Sequence, residues 1–373
     1  MDRVVRVLDI ERAIARAYPP DRAEEWDRVG LLAGDPDACV TGVVLALDPT
    51  LDELALTVAR GANVLVTHHP AYLKMPDRLV GSHGPAAVLN QAMRAGVSLI
   101  SAHTNLDRDD RAQSLMPEAL GLSILGPIED SSMAVSHLTV FVPPTGVEAV
   151  RDAMIEAGAG RVGEYEECAF QADGLGSFAA SPGAQPAVSP DGSGQVSEVR
   201  LEMICPPRAT ARVMEAAAGA HPYEEPLIIA GDARIGRNRW RLGRVCRADA
   251  PVTLHELAQR VSHAYGVLPR VWGDPDSVIE TVGCTTGSGG SLLGAAIGKG
   301  VQAFVAGEVR YHDATDAVQA GVGVIEIGHD VSEWPLVSLL ETVVRDIPGL
   351  PSEMVHALPP SAGWWIPKER TNA

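Results

Sequence analysis

The chain has 373 residues, of which 46% are hydrophobic and 21% charged, and its formal net charge at pH 7 is −18. This length allows two or three domains, and this composition predicts a substantial core. The negative charge argues against binding to nucleic acids, because phosphate-backbone contacts require clustered Lys and Arg. A cation site, by contrast, would gain from an anionic surface.

Cysteine usage and the lack of long apolar stretches bear on location. The N-terminus has no apolar signal core, and no apolar run is long enough to span a bilayer. We therefore expect a cytoplasmic protein without a membrane partner. Reduced thiols are predicted for five dispersed cysteines that form no CxxC pair: Cys39, Cys168, Cys205, Cys246 and Cys284.

Hydrophobic periodicity divides the chain into three parts. The first and last alternate strands with helices, which implies parallel βαβ units. The first part is predicted to contain helices 4–17, 50–60 and 85–95, with Thr50 as an N-cap, a loop that packs Trp26 as an anchor, and strands 40–47, 64–67 and 97–102. The last part is predicted to contain helices 254–264 and 334–344 and strands 278–284, 301–306 and 322–328.

The middle part has a different order of elements. Strands are predicted at 133–142, 165–171, 175–179, 196–204 and 226–229, helices at 145–157 and 208–220, and a basic linker at 234–247. Apart from one extra strand, this order is that of a ferredoxin-like split βαβ arrangement. We therefore predict an α/β protein in which two α/β lobes, residues 1–127 and 246–373, form one core interrupted by a ferredoxin-like α+β insert, residues 128–245.

Residue types that bind metals follow three of the predicted strands. The pairs are His68 and His69 after strand 64–67, His103 and Asp107 after strand 97–102, and His329 and Glu333 after strand 322–328. Ligands of open α/β sheets bind beyond the carboxyl ends of the strands. A spacing of four residues also lets the histidine and the carboxylate reach one point if a helix begins there. The repetition predicts a metal or catalytic site.

Two further motifs allow alternative interpretations. The Gly-rich turn 287–291 could cradle a phosphate, with Ser288 and Ser291 as the residues to test. It matches neither the GxGxxG nor the Walker pattern, so a tight strand-to-helix turn is favoured. Glu308 and His312 could form a fourth ligand pair, although a supporting role outside the ligand set is favoured.

The motifs together resemble the Nif-three-like dinuclear-metal proteins, known as GTP cyclohydrolase I type 2 homologues, in the long bacterial form with a ferredoxin-like insert. The resemblance rests on residues 26–31, 67–70, 102–107, 221–225 and 328–333. It implies two metal ions per subunit and a toroidal homohexamer whose sites face an internal cavity. The ligands that it implies are His68, His69, Asp107, His329 and Glu333, with His103 beside them as a further ligand or proton carrier.

The donor set leads to a hypothesis about chemistry. Three imidazoles and two carboxylates are too many for one catalytic metal, which keeps an open position, but they suit two divalent ions. The mixed nitrogen and oxygen donors fit zinc, manganese or iron. We expect a hydrolase acting on a small nucleotide-like or phosphorylated substrate, with Glu333 or Asp107 as the bridge and His103 as the proton carrier. The alternative is a non-catalytic metal-binding or regulatory hexameric assembly, in which both ions have closed coordination shells.

Overall fold

The computed structural model describes residues 4–79, 83–129, 132–163, 165–184, 186–187, 193–236 and 239–360. The chain forms two compact units, one built from Met1–Asp130 with Trp240–Ala373 and the other from Ser131–Arg239. Both contain helices and strands, so the protein is mixed α/β. Of the helices in the described ranges, none is both long and apolar enough to cross a lipid bilayer.

The elements follow one another in three segments of the chain. The first holds α1 (Val7–Ala17), β1 (Gly30–Ala33), β2 (Val43–Ala46), α2 (Leu51–Ala59), β3 (Val64–Thr67), α3 (Gly84–Ala95), β4 (Ser98–Ser101), α4 (Thr104–Asp107), α5 (Asp110–Ala119) and β5 (Leu122–Pro127). The second holds β6 (Ser132–Val142), α6 (Val147–Glu156), β7 (Phe170–Ala179), β8 (Ser193–Cys205), α7 (Thr210–Ala220) and β9 (Ile228–Gly236). The third holds β10 (Arg244–Thr253), α8 (Leu254–Tyr265), β11 (Arg270–Trp272), β12 (Val278–Cys284), α9 (Gly290–Gly298), β13 (Ala303–Ala306), α10 (Tyr311–Gln319), β14 (Gly323–Glu326), α11 (His329–Arg345) and β15 (Val355–Ala357).

The first sheet has the strand order β1-β4-β3-β2-β15. Strands β15, β2, β3 and β4 are parallel, and β1 is antiparallel to β4. The parallel pairing of β2 with β3 and of β3 with β4 confirms the predicted βαβ units. Every residue of β2, β3 and β4 is buried, as is typical of strands that are covered on both faces of a parallel sheet.

The second sheet has the order β11-β14-β13-β12-β10-β5, with β12, β13 and β14 parallel. Strand β10 pairs with both β12 and β5 in antiparallel register. Strand β5 of the first segment thus completes the sheet of the third segment. Conversely, β15 of the third segment completes the first sheet.

The structure shows where helices α2 and α11 begin. The Thr50 side chain accepts a hydrogen bond from the Glu53 amide at 3.4 Å, which confirms the predicted N-cap of α2. Helix α11 begins at His329, so the predicted start at residue 334 was wrong by five residues. Leu336 and Leu340 pack into the core of the first sheet and hold α11 there.

The second unit contains an antiparallel sheet in the order β7-β8-β6-β9. The predicted separate strands 165–171 and 175–179 are wrong, because β7 runs without a break through Ala172, Asp173 and Gly174. Its continuous pairing with β8, from Phe170 opposite Glu202 to Ala179 opposite Ser193, outweighs the local turn preference of these residues. The predicted linker 234–247 is also partly wrong, since its two ends belong to β9 and β10.

Candidate metal centre

The first sheet brings together histidines from two neighbouring strands. Strand β3 ends at Thr67, directly before His68 and His69. The adjacent parallel strand β4 ends two residues before His103, which is the N-cap of α4. Because β3 and β4 are parallel neighbours, their carboxyl ends lie at one edge of the sheet, and the ring centroids of His68 and His103 are 5.2 Å apart.

Asp107 lies at the end of α4, the helix that begins directly after His103, and the second sheet leads to the other two predicted residues, His329 and Glu333. Strand β14 ends at Glu326, and the chain then enters α11 at His329. Glu333 lies one helical turn further along and accepts a contact from the His329 ring at 3.1 Å. The predicted convergence of the pair through the start of a helix is therefore confirmed in the structure.

All six predicted site residues lie in one cluster within the first unit. Three overlapping groups offer ligand atoms that lie within 4.8 Å of one another and could hold a metal ion. These groups are His68 with His69 and His103, His69 with His329 and Glu333, and His68 with Asp107 and Glu333.

His68 has the arrangement expected of a metal-binding imidazole. The residue is fully buried, and its Nδ1 donates to the carbonyl oxygen of Ala102 at 2.9 Å. This bond directs the other ring nitrogen, Nε2, to the cluster, where it lies 3.5 Å from Asp107 Oδ1 and 3.8 Å from Glu333 Oε1. Within the described residues, His68 Nε2 and Asp107 Oδ1 are both buried without a hydrogen-bond partner. Such atoms are costly unless a cation or proton joins them.

Glu333 is the common member of two groups. Its Oε2 accepts from His69 Nε2 at 2.9 Å and from His329 Nε2 at 3.1 Å. Burial opposes ionisation of this carboxyl, but the bonds from His329 and His69 and the nearby His68 ring outweigh burial and lower the pKa of Glu333 well below its usual range. Glu333 is therefore ionised in the interior of the protein, where it can accept hydrogen bonds or bind a cation.

The same contacts act on the imidazoles. Burial opposes protonation of His69, but its bonds to Asp48 and Glu333 outweigh that effect and raise its pKa to about 10. The bond to Glu333 raises the pKa of His329 to about 9 against an opposing effect of burial. Both rings are thus placed where a positive charge is strongly favoured.

Three carboxylates lie behind the imidazoles, and of these only Glu308 was considered from the sequence, together with His312. Asp48 accepts from His69 Nδ1 at 2.7 Å, and Asp27 accepts from His103 Nδ1 at 2.8 Å. Glu308 lies 3.2 Å from Nδ1 of His329 rather than beside His312. Carboxylates in this position fix the orientation of metal-binding imidazoles. Asp48 follows the end of β2 by two residues, at the carboxyl end of a parallel strand like the histidines, and this position is a signal that could have found it.

The segment before β1 differs from the prediction of a packed tryptophan. Trp26 is 54% exposed, and the buried residue is Asp27, at 5% exposure. Besides His103, Asp27 accepts from the Thr104 amide at 3.0 Å and the Thr104 hydroxyl at 2.5 Å. Burial opposes its ionisation, but these donors outweigh burial and lower the pKa of Asp27 to about 2. The Arg28 amide also donates to Asp27, at 2.7 Å, so four donors converge on this buried carboxylate.

The Gly-rich turn lies against Glu333. Gly287 has φ +59°, its amide donates to Ser332 Oγ at 2.8 Å, and a Cβ on it would overlap Glu333 Oε1. Gly287 thus provides both the left-handed conformation and the space for the carboxylate. The turn joins β12 to α9, which fits the favoured reading as a tight connection.

Other polar motifs lie outside the cluster. His312 is exposed and belongs to none of the three groups found among the described residues. In the second unit, His221 Nε2 donates to the Phe141 carbonyl at 2.9 Å, and its Nδ1 accepts from the Tyr223 amide at 3.0 Å. Both nitrogens of His221 therefore serve the local fold.

The fold and the cluster define a mixed α/β protein with histidine and carboxylate groups that could bind metal. The Duf34/NIF3 (NGG1p interacting factor 3) family matches residues 5–356. The chain is 35% identical to the GTP cyclohydrolase 1 type 2 homolog of Mycobacterium tuberculosis over 355 residues, which cover 91% of this chain and 92% of that one. It is 29% identical to the protein of that name from Staphylococcus aureus strain N315, with 92% and 93% covered.

Solved structures agree with these relatives. The crystal structure of a Bacillus cereus protein related to NIF3 aligns with a TM-score of 0.61 at 29% identity, covering 95% of this chain and 97% of that chain. A Staphylococcus aureus crystal structure aligns with a TM-score of 0.66 at 25% identity, covering 99% and 100%. The chain therefore belongs to the Duf34/NIF3 family, which confirms the resemblance found in the sequence.

Replacement of Gly287 by Ala should displace the Glu333 carboxylate and reduce the amount of metal that the protein binds. Gly266→Ala is the matched control, because Gly266 also has positive φ, at +69°, but a Cβ there would meet nothing within 4 Å. Both variants should lose about 1–2 kcal/mol of stability from left-handed strain, and only Gly287→Ala should lose metal on dialysis, measured by mass spectrometry of bound metal. Equal metal content in the two variants would show that the turn does not shape the site.

Replacement of Asp27 by Asn should destabilise the protein by about 1–3 kcal/mol, because the amide nitrogen that replaces one carboxylate oxygen cannot accept from the donors that face it. Asp37→Asn, at an exposed position nearby, is the control and should change stability by less than about 0.5 kcal/mol. Urea unfolding followed by circular dichroism measures both. Equal midpoints for the two variants would refute the role of Asp27 in holding His103.

Proposed function

We propose that this protein binds two divalent metal ions and hydrolyses a small nucleotide-like or phosphorylated substrate. The observation that carries the proposal is the pair of buried, unpartnered atoms, His68 Nε2 and Asp107 Oδ1, beside the buried carboxylate of Glu333. A ring nitrogen and a carboxylate oxygen that face each other at 3.5 Å in the interior are stabilised by a proton or a cation that both can bind. The residues therefore fit a metal ion.

The number of ions follows from the way Glu333 divides its oxygens. Oε1 faces His68, and Oε2 faces His69 and His329. We propose one ion held by His68, Asp107 and Glu333, and a second held by His69, His329 and Glu333, so that Glu333 is the bridge. The donors suit zinc, manganese or iron. When bound, such ions polarise substrate oxygens and lower the pKa of water.

The residues of the chain have separate tasks in this proposal. Asp48 and Glu308 orient the rings of His69 and His329 through Nδ1. Asp27 binds His103 Nδ1, so the other nitrogen, Nε2, is left to accept and pass on a proton at the edge of the cluster. His103 and Glu333 are thus the proposed catalytic residues.

The larger architecture belongs to the same proposal. We infer that the first unit consists of two α/β lobes, centred on residues 1–127 and 246–373, and that residues 128–245 form a ferredoxin-like insert. The strand order β7-β8-β6-β9, with α6 and α7 as the connecting helices, supports the insert. The family resemblance leads us to propose assembly as a homohexamer. The dispersed, free cysteines favour a cytoplasmic location, where they would stay reduced.

The names of the relatives guide the choice of substrate. Several are called GTP cyclohydrolase 1 type 2 homolog, so nucleotides are the first compounds to test. A screen of nucleotides and phosphoesters should be run with protein loaded with zinc, manganese or iron. Formate release reports opening of the GTP ring, and phosphate release reports hydrolysis of a phosphoester. A metal-loaded protein that turns over none of them would favour the non-catalytic assembly.

Replacement of His68 or Glu333 by Ala tests the metal site. We expect about two metal ions per chain in the unchanged protein, about one in His68→Ala and fewer than one in Glu333→Ala, because Glu333 serves both ions. His312→Ala is the control and should keep both ions, since this exposed histidine lies outside the cluster. Circular dichroism must show that each variant is folded. Unchanged metal content in a folded Glu333→Ala variant would rule out the proposed centre.

A further inference from the structure

A cavity of about 590 Å³ opens beside the candidate metal centre. Its wall includes His69 and His329, so a molecule in the cavity would touch two of the proposed ligands. The volume lies within the range of about 300–1,000 Å³ that is typical of small-molecule sites. The cavity is therefore the natural place for a substrate.

Acidic groups on the wall of this cavity are already engaged. Asp48 and Glu308 accept from the two imidazoles. Glu326, at 6% exposure, accepts from the Trp272 ring nitrogen at 2.8 Å and from the Val309 amide at 3.0 Å. None of these carboxylates needs a ligand to complete its bonding.

Arg270 also lines the cavity, and the pairing of β11 with β14 fixes its backbone position. Arg270 lies directly opposite Glu326 in the antiparallel pairing of β11 with β14. Glu326 itself precedes His329 by three residues in the chain. The Nε atom of Arg270 lies 3.3 Å from Glu326 Oε2, whereas the Arg270 side chain is 70% exposed. Among the described residues, no hydrogen-bond partner occupies its two terminal nitrogens. Glu326 thus holds one edge of the guanidinium and leaves the other edge available.

We propose that Arg270 is the residue that recognises a small anionic group, a phosphate or a carboxylate, on the substrate of the metal centre. A guanidinium offers two parallel N–H donors that match such a group. A chain with net charge −18 repels small anions unless local cations attract them. Besides the proposed metal ions, the cavity offers Arg270, the one lysine or arginine among the described residues that line it.

Arg270 could serve only to balance the charge of Glu326, but its contacts do not fit that role alone. The buried carboxylate already has two neutral donors, and the contact with Arg270 uses only Nε. An arginine kept only for charge balance would gain by packing over the carboxylate, yet 70% of the Arg270 side chain is exposed to solvent. The inference rests on the proposed function, because it assigns the substrate class of the same centre.

The test uses the full chain and a pair of probes that differ by one anionic group, guanosine 5′-monophosphate and guanosine. Binding of each is measured by isothermal titration calorimetry, with and without added manganese. Arg270→Gln should bind the monophosphate at least about tenfold more weakly and guanosine within about twofold of the unchanged protein. Arg247→Gln removes the same charge from an exposed position on β10 and should bind both probes normally.

Recognition of a carboxylate is tested by the same calorimetric comparison, with guanosine and guanosine 5′-carboxylic acid as the two probes. Loss of affinity for the phosphate only, or for both anions, identifies the group that Arg270 recognises. Equal affinity of Arg270→Gln and Arg247→Gln for every probe, or no binding of either anion to the unchanged protein, would overturn the proposal.

Failure of this inference can be told apart from failure of the metal proposal. Arg270→Gln should keep the full metal content, because Arg270 contacts none of the proposed ligands. If Glu333→Ala keeps its metal while Arg270→Gln loses affinity for the anion, the metal proposal fails and the anion subsite stands. If Glu333→Ala loses its metal while Arg270→Gln keeps its affinity for the anion, only the proposal of the anion subsite fails.

Discussion

A carboxylate that is 3% exposed must be matched by donors or cations, and at Glu333 the rings of His69 and His329 supply two donors while His68 Nε2 lies 3.8 Å away. This requirement explains why His68, His69 and His329 lie around one point. It also explains the glycine at 287, where any side chain would enter the space of the carboxylate. Removal of any one ring would leave the buried charge less compensated, so the cluster is tightly constrained whether or not it turns over a substrate.

The two sheets of the first unit serve this constraint through their topology. Strands β3 and β4 end at one edge and deliver three histidines, and β14 leads into α11, which delivers His329 and Glu333. Helix α11 has its first turn in the cluster, and its later residues Leu336 and Leu340 lie in the core of the first sheet. Hydrophobic burial along this helix therefore fixes the position of the carboxylate, because a core-packed helix cannot rotate without opening a void.

Sequence patterns predicted what depends on local chemistry. The strand-end histidines, the Thr50 cap and the four-residue spacing of His329 and Glu333 were all recognisable, since each is a matter of neighbours in the chain. What depends on distant partners was not: Asp27 reaches His103 across 76 residues, and β5 and β15 each join the sheet of the other segment. The break predicted within β7 failed because a long partner strand overrides a weak turn signal.

Anomalous diffraction from crystals grown with manganese or zinc tests the central claim most directly. The account predicts two anomalous peaks per chain on either side of Glu333, with donor atoms about 2.0–2.2 Å away. One peak should have His68 and Asp107 as its ligands, and the other should have His69 and His329. Data collected above and below the absorption edge would identify the element. A cluster without a peak, in crystals that carry metal elsewhere on the chain, would contradict the account.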